Sequence, residues 1–253
     1  MEETYHLEDK LYREVIRKSN KSVIERINQI EDEQNEYREY IETWIHEVKA
    51  PLTALYLMCE NTSNLNEMRG ELNKLENYID LALFYARSDN VHKDYFIKQT
   101  DLELLATSII RENKQLFIGN QFSVDVDIGE KLVYTDEKWL GFILKQILLN
   151  CVKYRSGSSN FIRIYTEPKK NAVCLIIEDN GIGIASHEVG RIFEKGFTGS
   201  NGRNSVMAKS TGIGLYLCRK LCGKMDIGIG VESVEGEYTK IILTFPVSDF
   251  YEI

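Results

Sequence analysis

Gly70 is the only glycine in the first 118 residues of this 253-residue chain, whereas eleven of its 17 glycines fall between Gly181 and Gly230. Glycine inside a helix costs about 1 kcal/mol against alanine, so a stretch that avoids it is suited to helix. A stretch that gathers it needs turns and close backbone approaches. The chain therefore holds two kinds of architecture, which agrees with a prior of roughly 1.7 domains at about 150 residues each.

Periodicity supports the division. Val23, Ile27, Ile30, Gln34, Tyr37, Ile41, Trp44 and Val48 follow one another in steps of four and three, a heptad seam with one polar member. After the polar break Asn61-Thr62-Ser63-Asn64, a second series runs Leu65, Met68, Leu72, Leu75, Ile79, Ala82 and Ala86. Two antiparallel helices are expected, with residues 2–22 extending the first one upstream. A lone hairpin cannot bury such stripes, so the expected assembly is a homodimer with a four-helix bundle.

From about residue 90 the pattern changes to short strands and helices. Helices are expected over 102–111, 137–154 and 212–225, and strands over 122–128, 161–166, 172–178, 227–233 and 240–245. The second half then reads as an α+β sandwich, one mixed sheet under helices.

Composition narrows the function. Residues that are 43% hydrophobic and 28% charged supply a core, and 31 basic against 39 acidic residues give a net charge of −8. That balance argues against a nucleic-acid or anionic-lipid binder, which needs clustered positive charge. Cys59, Cys151, Cys174, Cys218 and Cys222 form no CxxC pair, so a disulfide framework is not expected and a reducing cytoplasm is. No stretch approaches the roughly 18 apolar residues needed to span a bilayer.

Four clusters could carry chemistry. The first is His46-Glu47-Val48-Lys49-Ala50-Pro51, which places His46 beside the apolar seam. A neutral imidazole is a good nucleophile near pH 7, and an adjacent carboxylate can take its proton. Alone, such a histidine is a solvated polar residue; a helix-interior proline one turn later, which removes a hydrogen bond, calls for a reason. The second cluster puts Gln146, Asn150 and either Lys153 or Tyr154 on one helix face. An amide oxygen suits Mg²⁺, a lysine suits phosphate, and an aromatic ring can cover a base.

The third cluster, Asp179-Asn180-Gly181-Ile182-Gly183, follows an apolar strand. Asp179 can accept from an adenine amino group, and the glycines allow close approach of backbone. The fourth, Gly212-Ile213-Gly214-Leu215, opens a helix whose N–H groups suit phosphate oxygens, without being a Walker A or GxGxxG motif. Between the last two lie 27 residues, 184–210, expected to form a mobile lid. Cys218 and Cys222 sit one turn apart without a third ligand nearby, and His6, His92 and His187 read as surface residues.

Each cluster alone also fits a turn or an amphipathic helix, but the four in this order resemble a two-component sensor histidine kinase. The HExxxP segment is similar to the H box, 150–154 to the N box, 179–183 to the G1 box, 193–197 to the F box and 212–215 to the G2 box. The similarity runs over about residues 36–246. The wording around Trp44-Ile45-His46 and Phe193-Glu194-Lys195-Gly196-Phe197-Thr198-Gly199 further resembles the bacitracin- and antimicrobial-peptide-responding intramembrane-sensing kinases of Firmicutes.

The resemblance implies a linker helix over 1–35, a dimerisation and phosphotransfer hairpin over 36–90, and a Bergerat-type ATP domain over 91–253. It implies ATP and Mg²⁺ as cofactors. His46 would take the γ-phosphoryl group, with Glu47 at its side, and pass it to an aspartate of a response regulator. Asn150 would hold the metal; Lys153, Tyr154, Asp179, Gly181, Gly183, Phe193, Thr198, Gly212, Gly214 and Leu215 would surround the nucleotide. Nucleic acid is not an implied partner. A membrane transporter is, in the full-length protein, which would be anchored in the membrane by segments upstream of residue 1. Two positions depart from the family pattern. Ala50 stands where many relatives carry a Thr or Asn that assists dephosphorylation of the regulator, so weak phosphatase activity is expected. Thr198 stands where many carry an arginine, leaving Arg203 or Lys195 to meet the γ-phosphate. The competing readings are an ATPase or serine kinase that uses the hairpin only to dimerise, and a coiled-coil scaffold with a dead nucleotide pocket.

Overall fold

The computed structural model describes residues 2–60, 65–88, 96–157, 159–199 and 212–246. It separates into two compact units, Met1–Ala82 and Leu83–Ile253.

The first unit is helical. Helix α1 (Glu2–Glu60) is 59 residues long, and α2 (Leu65–Ser88) follows it; the expected break at 61–64 lies outside the described residues. The indole nitrogen of Trp44 donates to the Tyr78 carbonyl at 2.7 Å, which brings α2 back antiparallel along α1. Among the described residues those buried here are Tyr40, Pro51 and Leu81, none of them in the expected seam. Seam residues Val23, Ile27, Ile30, Tyr37, Leu72 and Ile79 stay 45–54% exposed. Two helices bury only the flank each turns to the other, so an apolar stripe of this length remains at the surface of a single chain. Pro51 is buried, and α1 runs through it without interruption, although its ring nitrogen cannot donate to the Glu47 carbonyl.

The second unit is α+β. Strands β2 (Phe122–Asp127), β4 (Asn160–Lys169), β5 (Ala172–Asp179), β6 (Gly228–Val234) and β7 (Tyr238–Pro246) form one sheet in the order β2-β4-β5-β7-β6. The β2–β4 pair is parallel and the others antiparallel, so the sheet is mixed as expected. Helices α3 (Leu102–Glu112), α5 (Glu137–Lys153) and α6 (Gly214–Lys224) pack side by side over one face. One sheet was not enough to describe the unit. Strands β1 (Lys98–Asp101) and β3 (Leu132–Thr135) form a separate antiparallel pair, and α4 (Lys114–Gly119) is an added short helix. At four residues each, β1 and β3 are too short to display a period of two.

Alternation along β5 fixes the site. Val173, Leu175 and Ile177 alternate along β5 and are buried, as are Leu140, Ile143 and Leu144 of α5, which packs on that strand, and Leu217 of α6. Two residues further on, the same period places Asp179 on that inner face, a carboxylate at the rim of an apolar core. Helix α5 is aimed by its N-cap. Asp136 Oδ1 accepts from the Lys138 and Trp139 amides at 2.9 and 3.0 Å, and Oδ2 accepts from Phe96 N at 2.7 Å. The end of α2 belongs to this unit, where Phe84 stacks on Phe142 with ring centroids 4.1 Å apart.

Candidate functional site

Asp179 is 7% exposed, and burial pushes its carboxyl up to about 6. Two donors pull the other way and favour the ionised form: the Gly181 N–H, at 2.8 Å from Oδ1, and the thiol of Cys151 on α5. The loop after β5 is tied down on both sides. Asn180 Oδ1 accepts from Phe161 N at 2.8 Å while its Nδ2 donates to Ser159 O at 2.8 Å, and Ile182 N donates to Tyr154 O at 2.9 Å. Gly183 has φ +64, and a side chain there would overlap the Val234 carbonyl, so glycine is required.

These constraints frame a cavity in the second unit. Asp179, Gly183, Asn150, Tyr154 and Leu215 of the expected residues line it, with apolar walls from Ile147, Ile182, Ile184 and Ile241. Cys151, Glu188, Phe197 and Thr239 also line it, none of them anticipated individually as a site residue. Thr239 could have been found only from strand register, because it lies opposite Asp179 across the β5–β7 pair. Cys151, set among apolar residues of a buried helix, looks like packing.

The remaining expected residues surround this cavity without lining it. The Lys153 ammonium lies 5.7 Å from the Tyr154 ring centroid. Gln146, expected on the same face as Asn150, is buried, and its Oε1 lies against Gly214 at the start of α6, a helix with no side-chain N-cap. Gly212 has φ +67, and a Cβ would collide with the backbone at Gly196 and Phe197, to which Gly196 N–Gly212 O is joined at 3.2 Å. Gly181 has no room for a Cβ either, since Asp179 Oδ1 would stand 2.6 Å from it. Phe193 is buried under the Arg219 guanidinium at 5.9 Å, and Thr198 is half-buried in the loop before Gly199. Residues 184–199 are thus not a free lid: Ala185, Ile192 and Phe193 are buried and 189–191 form a 3-10 turn, because apolar side chains spaced through the segment pack into the unit. The rest of the expected lid, 200–211 with Arg203, lies outside the described residues.

In the first unit His46 and Ala50 are exposed on α1 one turn apart, and Glu47 is half-buried. Tyr78 on α2 is raised to about 12 by burial and by the negative charges of Glu47 and Glu71, which sets Glu47 beside the helix pair rather than out in solvent. Cys218 and Cys222 are fully buried free thiols, both held protonated well above the ordinary range by burial. Among the described residues no group of three or more His, Cys, Asp or Glu is placed to hold a metal ion.

Residues 135–249 match the family model described as histidine kinase-, DNA gyrase B-, and HSP90-like ATPase. The chain is 30% identical over 209 residues to the sensor histidine kinase YxdK of Bacillus subtilis (strain 168), covering 81% of this chain and 64% of that protein. It is 32% identical over 249 residues to the sensor protein kinase GraS of Staphylococcus aureus (strain JH1), covering 96% of this chain and 69% of that one. The chain belongs to the sensor histidine kinases. It therefore spans less than two thirds of YxdK, and little more of GraS. Among solved structures, Acinetobacter baumannii histidine kinase AdeS superposes with a TM-score of 0.59 at 15% identity, over 81% of this chain and 98% of that one, a likeness of fold.

The family is a two-component sensor kinase family of the Firmicutes type, and its ATPase unit implies ATP binding. The cavity suits that ligand, with apolar walls for a base and a carboxylate acceptor at its end. The donor set also fits Mg²⁺, which takes one or two protein oxygens and completes its shell with phosphates and water. Asn150 offers such an oxygen at the cavity wall. Among the described residues no helix is long and apolar enough to cross a membrane.

Proposed function

We propose that this chain is the catalytic portion of an ATP-dependent protein histidine kinase that phosphorylates its own His46 and passes the phosphoryl group to an aspartate of a separate response regulator. The observation that carries the reading is the exposure of His46 on α1, directly before half-buried Glu47, in a chain whose second unit holds a nucleotide-type cavity. In this reading residues 1–35 transmit the signal, 36–90 dimerise and accept phosphate, and 91–253 bind nucleotide.

Asp179 accepts from the adenine amino group. Tyr154 and Lys153 flank ribose and phosphates, and the N–H groups opening α6 at Gly214 and Leu215 face phosphate oxygens. Phe193, Gly181, Gly212 and Thr198 hold the walls, and Lys195 or Arg203 meets the γ-phosphate. Asn150 would hold Mg²⁺, which neutralises charge developing on the phosphates. A ring nitrogen of His46 bonds to the γ-phosphorus as the bond to the bridging oxygen breaks and ADP leaves, and Glu47 takes the ring proton. In the second step the nitrogen–phosphorus bond breaks and a regulator carboxylate oxygen takes the phosphoryl group.

The exposed stripe on α1 and α2 supports a homodimer with a four-helix bundle. Kinship with sensor kinases supports a membrane-anchored full-length protein, in which a membrane transporter would be a further partner. Incubation with γ-labelled ATP tests the reading. Acid-labile, alkali-stable label on the wild type that is lost in His46→Gln is the expected result; released phosphate with no labelled protein would indicate the ATPase alternative.

A further inference from the structure

Phe197 and Arg191 form two layers at one side of the cavity. Phe197 is half-buried and lines it, whereas Phe193, the other aromatic of the same segment, is buried and does not. The guanidinium carbon of Arg191 lies 4.6 Å from the Phe197 ring centroid. That is well inside the roughly 6 Å within which a cation is drawn to the face of a ring. Arg191 is not among the residues lining the cavity, so it backs the ring from outside.

The guanidinium is aimed by its own segment. Its Nε donates to Glu194 Oε2 at 3.0 Å. The backbone between is a succession of turns, in which Arg191 N donates to Glu188 O at 2.8 Å, Glu194 N to Arg191 O at 2.8 Å, and Phe197 N to Glu194 O at 3.2 Å. With side chains 58% and 52% exposed, the Arg191–Glu194 ion pair itself contributes little to stability. What it fixes is direction: a planar guanidinium held at one edge can lie along a ring as a compact ammonium cannot. A phenylalanine on a loop otherwise turns among its side-chain rotamers. Backed by a held cation, it keeps one orientation toward the cavity.

We propose that Arg191 is a positioning residue for nucleotide binding, its guanidinium holding the Phe197 ring in place as an aromatic wall of the cavity. The proposal rests on the reading of that cavity as the ATP site.

Calorimetric titration of the full chain with ATP in Mg²⁺ buffer tests it, as a cycle of Arg191→Ala, Phe197→Leu and the double variant. Loss of one such cation–ring contact corresponds to a roughly two- to fivefold weaker affinity. Arg191→Ala should show that loss where Phe197 is present and a smaller one beside Phe197→Leu, because leucine has no ring face to hold. Phe197→Tyr keeps the face, so Arg191→Ala should cost as much beside it as in wild type. The proposal is overturned if Arg191→Ala costs no affinity, or if its cost beside leucine equals or exceeds that beside phenylalanine, as it would if Arg191 acted by its charge or by holding the loop. A tyrosine background that responds like leucine overturns it too. Phe197→Met completes the same cycle if the leucine variant does not fold. Asp179→Asn separates the two levels: if the wild type binds no ATP, or Asp179→Asn binds it unchanged, the reading of the cavity falls. If Asp179→Asn weakens binding while Arg191→Ala does not, only the role of Arg191 is lost.

Discussion

The Gly181 backbone N–H donates to Asp179 Oδ1 at 2.8 Å, so a residue placed inward by strand alternation is held as an acceptor by the loop that follows it. Burial outweighs that bond, and the carboxyl sits at about 6 instead of the ordinary 3.8.

The folded protein therefore binds this proton more tightly than the unfolded chain. The contribution of Asp179 to stability is greatest below about pH 4 and is lost as pH rises through about 6, on the order of 3 kcal/mol in all. Asp179→Asn should raise the melting temperature without nucleotide above pH 7, and the gain should shrink as pH approaches 4. Thermal melts of both proteins across pH 4–8 check this; a gain that does not depend on pH would refute the assignment of the buried charge. ATP affinity of the wild type should fall below about pH 6, where the protonated carboxyl turns from acceptor to donor.

His46→Gln should abolish acid-labile labelling and leave ATP affinity within about twofold of wild type, since His46 and the cavity belong to different units. Parallel labelling and calorimetric titration read the two quantities separately.

Leu72 is 54% exposed within the chain, so Leu72→Glu costs the single protomer little. In a paired bundle it buries a charge. Light scattering at micromolar concentration should show a halved mass, with far-ultraviolet circular dichroism per residue nearly unchanged.

Trp44→Phe removes the donor to the Tyr78 carbonyl and leaves that oxygen without the indole. A loss of about 0.5–1.5 kcal/mol is expected for one such bond, read by urea denaturation.

Ala50 is exposed one turn after His46 and offers no hydrogen-bonding group. Ala50→Thr should shorten the half-life of regulator phosphate in the presence of ADP while autophosphorylation changes little. A wild type that already dephosphorylates quickly would show that another residue does this work.

Long elements with strong periodicity were legible in the sequence. Strand β5 and helix α5 lie within a residue or so of the expected ranges, because their apolar runs are long enough to repeat. Strands β1 and β3 escaped notice because four residues carry no periodic signal. The seam on α1 and α2 was legible as a pattern but not as contacts, since spacing does not say whether a stripe meets its own hairpin or a second chain. Within the site, motifs marked Asn150, Tyr154, Asp179, Gly183 and Leu215, all of which line the cavity. Cys151 and Thr239 were hidden because their place on the cavity wall comes from neighbours distant in sequence, and Gln146 was legible as a residue of that face but not as one that turns toward another helix.

At about 1.5 Å per residue, α1 is a rod of roughly 90 Å. A rod supported by a complete ladder of hydrogen bonds shares bending along its length, but one missing rung concentrates it. In α1 the rung from residue 51 to the Glu47 carbonyl cannot form, one turn beyond His46. A bending load on α1 therefore concentrates at the stretch that holds His46 and Pro51, so the most compliant turn of the rod is the one that carries the histidine.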